Sequence, residues 1–343
     1  MIIYKHYLKR LLILFFVLLV CILCMNYLVD PYGYNVRNGK FIKNLTMFNK
    51  PHVTNARVNS KGYYYLIGSS RMARINPLEI EKMTGMKTHN IKIDGATLIE
   101  NTMLATEVKI RDKYFIYSFD VFSSNQNRQQ YEEIKNRVSI YKNEMSNNKI
   151  FGKFFNSDIT IRTLQHLIKK LKNEKLDKQH LEENDRLSSF SLDQMSIESG
   201  VLSNREKANF SNFTVYSDEL INKLAKLGNK NDIFIIFPKY APYYALFSKH
   251  QDIEQKYFSA VRTLVNNTEA QVWSFYGNNV ITQNLNNFID NGWHFKPKVG
   301  KKIFEEIFTT NHKKLDFSSG VLLTKSNLES YLIDISSEIE DTR

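Results

Sequence analysis

KGYYYLIGSSR, residues 61–71, is the stretch on which the fold turns. Tyr63 to Ile67 is a short continuous apolar run, and Gly68 ends it with two serines and an arginine directly behind. Such a run, rich in aromatic and branched side chains, reads as a strand. Glycine permits the sharp turn with which a chain leaves such a strand. Open α/β sheets bind ligands beyond the carboxyl ends of their strands, so Ser69 and Ser70 stand where a reactive hydroxyl would be useful.

Outward from this strand, helix and strand signals alternate. A helix is predicted around Pro77 to Met83, a strand over His89 to Ile93, a helix over Leu98 to Ile110 and a strand over Tyr114 to Phe119. The alternation stops at residues 123–215, which are dominated by Asn, Lys, Glu, Gln and Ser and read as an insertion, with a helical stretch over about Ile161 to Leu181. It resumes with a helix over Asp218 to Leu227, the run IFIIF at Ile233 to Phe237, and a helix over about Gln251 to Val265. A strand over Gln271 to Phe275 and a helix over Val299 to Phe308 follow. Strands separated by helical crossovers predict an α/β domain with a parallel central sheet, here residues 63–312, with 313–343 as a C-terminal tail.

The other end of the chain has a different character. Residues 11–29 carry no charge and are apolar apart from Asn26, and as a helix they would be about 28 Å long, one bilayer core. No small-residue cleavage site follows, so a transmembrane anchor is expected at 11–29, with residues 1–10 as a cytoplasmic tail and 30–62 as a juxtamembrane segment. Lys5, Lys9 and Arg10 precede the helix without any acidic residue, which favours a cytoplasmic N-terminus and an extracytoplasmic domain. The two cysteines, Cys21 and Cys24, both lie in the anchor, so no disulfide or cysteine metal site is expected beyond it. A net charge of +12 suits anionic headgroups or acidic glycans, while the absence of any nucleic-acid motif argues against nucleic acid as a partner.

A second motif completes a chemistry begun by the serines. Asp290-Asn291-Gly292-Trp293-His294 lies just before the last helix of the predicted sheet domain, and His294 alone among the eight histidines follows closely on an acidic residue in a turn-like stretch just before a helix. A serine becomes nucleophilic at neutral pH when a base takes its proton and a third group holds that base in one tautomer. Serine, His294 and Asp290 supply those three parts. The histidines form no spaced metal set and no glycine-rich phosphate loop is present, so neither metal nor cofactor is expected. The aromatic cluster Tyr240, Tyr243, Tyr244 and Phe247, together with Trp293, is a candidate platform for sugar rings.

These blocks, in this order, resemble the SGNH, or GDSL-like, esterase and acyltransferase superfamily, over residues 63–312 with the insertion excepted. The resemblance implies a flavodoxin-like three-layer α/β/α fold. It also implies Ser70 as nucleophile, with His294 as base and Asp290 as its orienting carboxylate. Gly95, in Asp94-Gly95-Ala96, would join Ser70 as a backbone oxyanion donor. Ser69 would then be a supporting hydrogen-bond donor, and Ser69, Arg71, Asp120 and Trp293 are candidates for substrate contact. Asp-Pro-Tyr-Gly after the anchor, IGSSR, IFIIFP and WSFYGNN are similar to the membrane-anchored members that occur with bacterial cell-envelope polysaccharide genes. That likeness implies a single-pass inner-membrane protein facing the periplasm. It would act on an envelope polysaccharide or other acylated glycan, with a multispanning membrane acyltransferase as a candidate partner. Two departures are visible: one more residue between Asp290 and His294 than the common spacing, and YSFDVFSSN where the family has a Gly-x-Asn-Asp block. They motivate an alternative, a catalytically reduced glycan-binding or assembly protein of a polysaccharide system.

Overall fold

The computed structural model describes residues 2–29, 63–93, 95–128, 131–146, 155, 157–172, 210, 212–244, 251–289, 292, 294–308 and 319–341. Along the chain the described helices and strands are α1 (Ile2–Val29), β1 (Tyr64–Ile67), α2 (Pro77–Thr84), β2 (Thr88–Asn90), α3 (Leu98–Ile110), β3 (Tyr114–Ser118), α4 (Tyr131–Ser146), α5 (Ser157–Leu171), α6 (Asp218–Leu227), β4 (Ile233–Ile236), α7 (Gln251–Asn267), β5 (Gln271–Ser274), β6 (Phe288–Ile289), β7 (His294–Phe295), α8 (Pro297–Phe308), β8 (Val321–Leu323) and α9 (Leu328–Asp341). They belong to two compact units, Met1–Ser60 with Tyr141–His180 and Lys61–Ile140 with Leu181–Arg343.

The larger unit is α/β with a mostly parallel sheet in the order β2-β1-β3-β4-β5-β8. The first five strands run parallel, and β8 joins β5 antiparallel at one edge. From β1 the chain goes outward to β2, then returns past β1 to β3 and continues to β4 and β5. The winding therefore reverses beside β1, and such a reversal leaves a crevice at the carboxyl ends of the strands on either side.

Alternate residues of each strand build two cores, as the pleat requires. Leu66, Ile116, Ile235, Phe237 and Phe275 pack with Ile80 of α2 and with Val299, Ile303 and Phe304 of α8. The other face presents Tyr65, Phe115, Tyr117 and Phe234, all fully buried, and α3, which packs against β1 and β3, lies beside α6, which in turn packs on α7. Strands covered on both sides account for the uninterrupted apolar runs YYLI and IFII.

Local chemistry sets the helix ends. The backbone N–H and hydroxyl of Thr97 both donate to Glu100 Oε2 at 2.9 Å, opening α3 with a capping box. Gly85 closes α2 in the left-handed conformation, with φ of 70°. At the amino end of the sheet, buried Asp232 accepts the N–H groups of Phe115 (2.9 Å) and Asn229 (2.8 Å) and pairs with Lys109.

Residues 319–341 do not trail away as the sequence pattern suggests. β8 completes the sheet edge, and the Ser319 and Gly320 N–H groups donate to buried Glu306 of α8. A three-residue strand with one buried side chain, Leu323, has too little period-2 signal to be read from sequence.

In the smaller unit, α1 is long and apolar enough to cross a membrane. Near its C-terminal end, buried Asn26 donates through Nδ2 to Thr160 Oγ1 of α5 at 2.9 Å.

Candidate active site

The exit from β1 is sterically tight. A Cβ on Gly68 would fall 2.7 Å from Ser118 Cβ and 3.2 Å from Met72 Cβ, so the strand ends approach closely here because residue 68 has no side chain. Ser69 O accepts the Met72 N–H and Arg71 O accepts the Arg74 N–H, each at 3.0 Å, closing a 3-10 turn over Met72–Arg74. The next α-helix starts only at Pro77. The serines thus sit in a tight turn of their own, after the strand and ahead of the helix.

The two serines face different surroundings. Ser69 is fully buried and donates to Asp120 Oδ2 at 3.3 Å. Ser70 is half-buried, and its Oγ lies 2.8 Å from His294 Nε2.

His294 is carried on a strand rather than a loop. In the β6–β7 ribbon Phe288 pairs with Phe295 and Ile289 with His294. Phe288 and Phe295 are in the core, which fixes the ribbon and hence the imidazole. Gly292, with φ of 84°, has its carbonyl against the Tyr240 N–H, and a Cβ there would meet Tyr240 Cβ at 2.6 Å. Because Ile289 stands opposite His294, four residues connect the two arms. The longer Asp290–His294 interval is therefore a hairpin length. Asp290 and Trp293 themselves lie outside the described residues.

Gly95 comes next to the serine turn. Backbone pairing continues past β2, with Ile91 N–H donating to Leu66 O and Ile93 N–H to Gly68 O, each at 3.0 Å. Gly95, two residues on, has φ of 69°, a left-handed conformation that favours glycine. Neither the Ser70 nor the Gly95 N–H donates to another described residue. Two backbone donors not spent on described partners are what an oxyanion site draws on.

Behind the turn is a buried polar cluster centred on Asp120. Its carboxylate accepts Ser118 Oγ at 2.5 Å, Ser69 Oγ at 3.3 Å and Arg71 Nη1 at 2.9 Å. Its carbonyl accepts the hydroxyls of Ser123 (2.8 Å) and Ser124 (2.9 Å). The Arg71 guanidinium lies 5.3 Å from the centre of the Phe122 ring. Read from sequence as groups open to substrate, Arg71 and Asp120 are 1% and 2% exposed and bind each other. Asn125 accepts the N–H groups of Asn127 and Thr214 at 3.1 Å, tying the return of the insertion to the loop after β3.

The aromatic cluster after β4 divides. Tyr243 and Tyr244 are core residues, Tyr240 is half-buried, and Phe247 lies outside the described residues. Tyr244 Oη accepts the Lys239 N–H at 2.8 Å, and its ring centre is 4.3 Å from that of Tyr276. Burial pushes the phenols of Tyr244, Tyr257 and Tyr276 above the ordinary tyrosine value, so they stay neutral below the site. Lys239, not singled out in the sequence, is fully buried, with Nζ 5.2 Å from the Phe210 ring centre and 5.6 Å from that of Tyr243. Its signal was a lysine directly behind the buried run IFIIFP.

Among the described residues no cluster of His, Cys, Asp and Glu is fit to hold a metal. No protein-family model matches this chain, and no curated protein is significantly similar to it in sequence. The functional reading therefore rests on geometry: a serine–imidazole pair at the carboxyl ends of a parallel sheet.

Proposed function

We propose that this chain is a membrane-anchored serine esterase or O-acyltransferase of SGNH type, acting on acyl esters of a bacterial cell-envelope polysaccharide from the periplasmic side of the inner membrane. The observation that carries the reading is the 2.8 Å approach of Ser70 Oγ to His294 Nε2. The strand order β2-β1-β3-β4-β5, the flavodoxin-like order of the superfamily, supports the fold assignment. A protein that only binds glycan has no need of that contact, and so it favours the enzyme over the catalytically reduced alternative.

In the proposed reaction His294 Nε2 takes the Ser70 proton as Oγ attacks the ester carbonyl carbon. The negative charge that develops on the carbonyl oxygen is met by the N–H groups of Ser70 and Gly95. His294 then gives the proton to the departing sugar oxygen, leaving an acyl group on Ser70. Water or a second sugar hydroxyl, deprotonated by His294, attacks that acyl-enzyme and restores the serine. Asp290 is assigned the task of orienting His294. With only backbone donors for the oxyanion, the site is slower than one with an added amide, since one donor is worth on the order of 10²-fold or more.

A fluorophosphonate or sulfonyl fluoride probe tests the reading. Wild type should be labelled and Ser70→Ala should not, while Ser69→Ala keeps its label. Absence of labelling in wild type, or labelling that survives Ser70→Ala, would sink the enzyme assignment.

A further inference from the structure

The catalytic reading leaves α5 unexplained. One stripe of this helix faces protein: Ile159 and Thr163 are buried, and Thr160 accepts the Asn26 amide one turn before α1 ends. A second stripe is apolar and open. Ile161, Leu164, Ile168 and Leu171 are 54%, 45%, 51% and 84% exposed, spacings that place them within an arc of about 80° on an ideal helix. The sequence adds Arg162, Lys169, Lys170 and Lys172 and one acidic residue, Asp158. On the same ideal helix Arg162, Lys169 and Lys172 fall on the side of the apolar arc away from the protein-facing stripe. Packed face, apolar face and basic face thus follow one another around the helix.

From this arrangement we infer that α5 is a membrane-interface helix. Its exposed stripe enters the boundary between headgroups and acyl chains, and its cations meet anionic headgroups beside the point where α1 leaves the bilayer. Three observations select lipid as the occupant. The helix is tied by a hydrogen bond to the last turns of the one described helix able to span a membrane. Its apolar stripe is too narrow and too flanked by charge for insertion across the bilayer, but has the form of helices that lie in the interface plane. Its positive charge complements anionic lipid, with which juxtamembrane basic residues interact favourably one by one. The inference goes beyond the proposed activity and rests only on α1 crossing the membrane.

The test uses the full chain with Cys21→Ser and Cys24→Ser, reconstituted into vesicles of phosphatidylcholine with or without phosphatidylglycerol. A single cysteine replaces Leu164, the exposed Lys82 of α2, or Phe16 in α1, and carries a nitroxide. Accessibility to oxygen, which concentrates in lipid, is compared with accessibility to a water-soluble nickel chelate. The Leu164 label should favour oxygen, as the Phe16 label does, and reverse the ratio found at Lys82. The preference should strengthen with phosphatidylglycerol and lose that dependence when Arg162, Lys169 and Lys172 are changed to Gln. A Leu164 label open to nickel would overturn the inference, and so would one shielded from both reagents, which would mean that protein covers the stripe. An unchanged ratio on adding phosphatidylglycerol would remove the headgroup contact. A Phe16 label open to nickel would overturn the span and this inference together, while leaving the labelling of Ser70 as a separate matter.

Discussion

The two ends of the sheet hold the same chemical device for different ends. At the amino end Asp232 is paired with Lys109 and braced by the backbone N–H groups of Asn229 and Phe115. At the carboxyl end Asp120 is paired with Arg71, but its other partners are the hydroxyls of Ser69 and Ser118. Both are carboxylates taken out of water, which is tolerable only with a cation and further donors at hand. The first pins three segments of backbone to one another. The second holds the residues on both sides of Ser70 while leaving Ser70 itself to His294. A buried ion pair is thus read by what else its acid grips.

The sharpest way to break the comparison is at the serines. Ser70→Ala should abolish probe labelling and cost on the order of 10⁶-fold in turnover, the scale seen when a triad nucleophile is removed. Ser69→Ala, one residue away, removes a hydrogen bond to Asp120 and should slow labelling without ending it. Equal loss in both would mean that the two serines are not functionally separate.

Next come the acids themselves. Removing one partner of a buried pair leaves the other charge unmet and costs about 3–5 kcal/mol. Asp120→Ala and Asp232→Ala should therefore lower thermal stability by similar amounts. They should differ in the labelling rate of the fraction still folded: Asp120→Ala slows it, because the Ser69 and Arg71 anchors are gone, and Asp232→Ala leaves it unchanged. A slowed rate in the Asp232 variant would show that the two ends are not independent. Gly68→Ala is smaller in scale, with an overpacking cost of about 1–3 kcal/mol where the new methyl would meet Ser118 Cβ at 2.7 Å. It should also shift Ser70 and slow labelling, which the equally tight Gly228→Ala, whose Cβ would meet Thr268 Oγ1 at 2.6 Å, should not.

How much of this was legible in the sequence follows from the range of the interactions. α3 and α6 are local matters of periodicity and capping, and the expected bounds, Leu98 to Ile110 and Asp218 to Leu227, are those observed. The strands YYLI and IFII were legible for the same reason. Ser70 and His294 could be paired in advance only by topology and resemblance, since their contact joins residues far apart in the chain. What stayed hidden depended on tertiary partners. Arg71 looks solvated until Asp120 is brought beside it, and Tyr244 looks like part of a surface platform until Tyr276 packs against it. The strand character of His294 comes from pairing across a hairpin whose arms are two residues each, shorter than any periodic signal.

The smallest effects separate the two kinds of acid by pH. Burial raises the Asp232 carboxyl above its ordinary value of 3.8, although Lys109 and the N–H groups of Asn229 and Phe115 pull against it. The folded chain therefore keeps this proton longer than the unfolded chain does. Its contribution to stability is complete below the ordinary aspartate value and is lost as pH rises through the folded value. Exposed Glu329 behaves in the opposite sense. The Arg262 guanidinium, 2.8 Å away, holds it below its ordinary 4.5, so its contribution is present above that value and is lost as pH falls through the lower folded one. Melting temperatures of the detergent-solubilised chain across the acid range should show both slopes. Asp232→Asn should remove the decline with rising pH, and added salt should leave that decline in place because the group is buried. Arg262→Gln should remove a smaller slope of opposite sign, one that salt also removes, since exposed pairs are screened. If salt erased the Asp232 slope as well, the amino-end carboxylate would be solvated, and its contrast with Glu329 would fail.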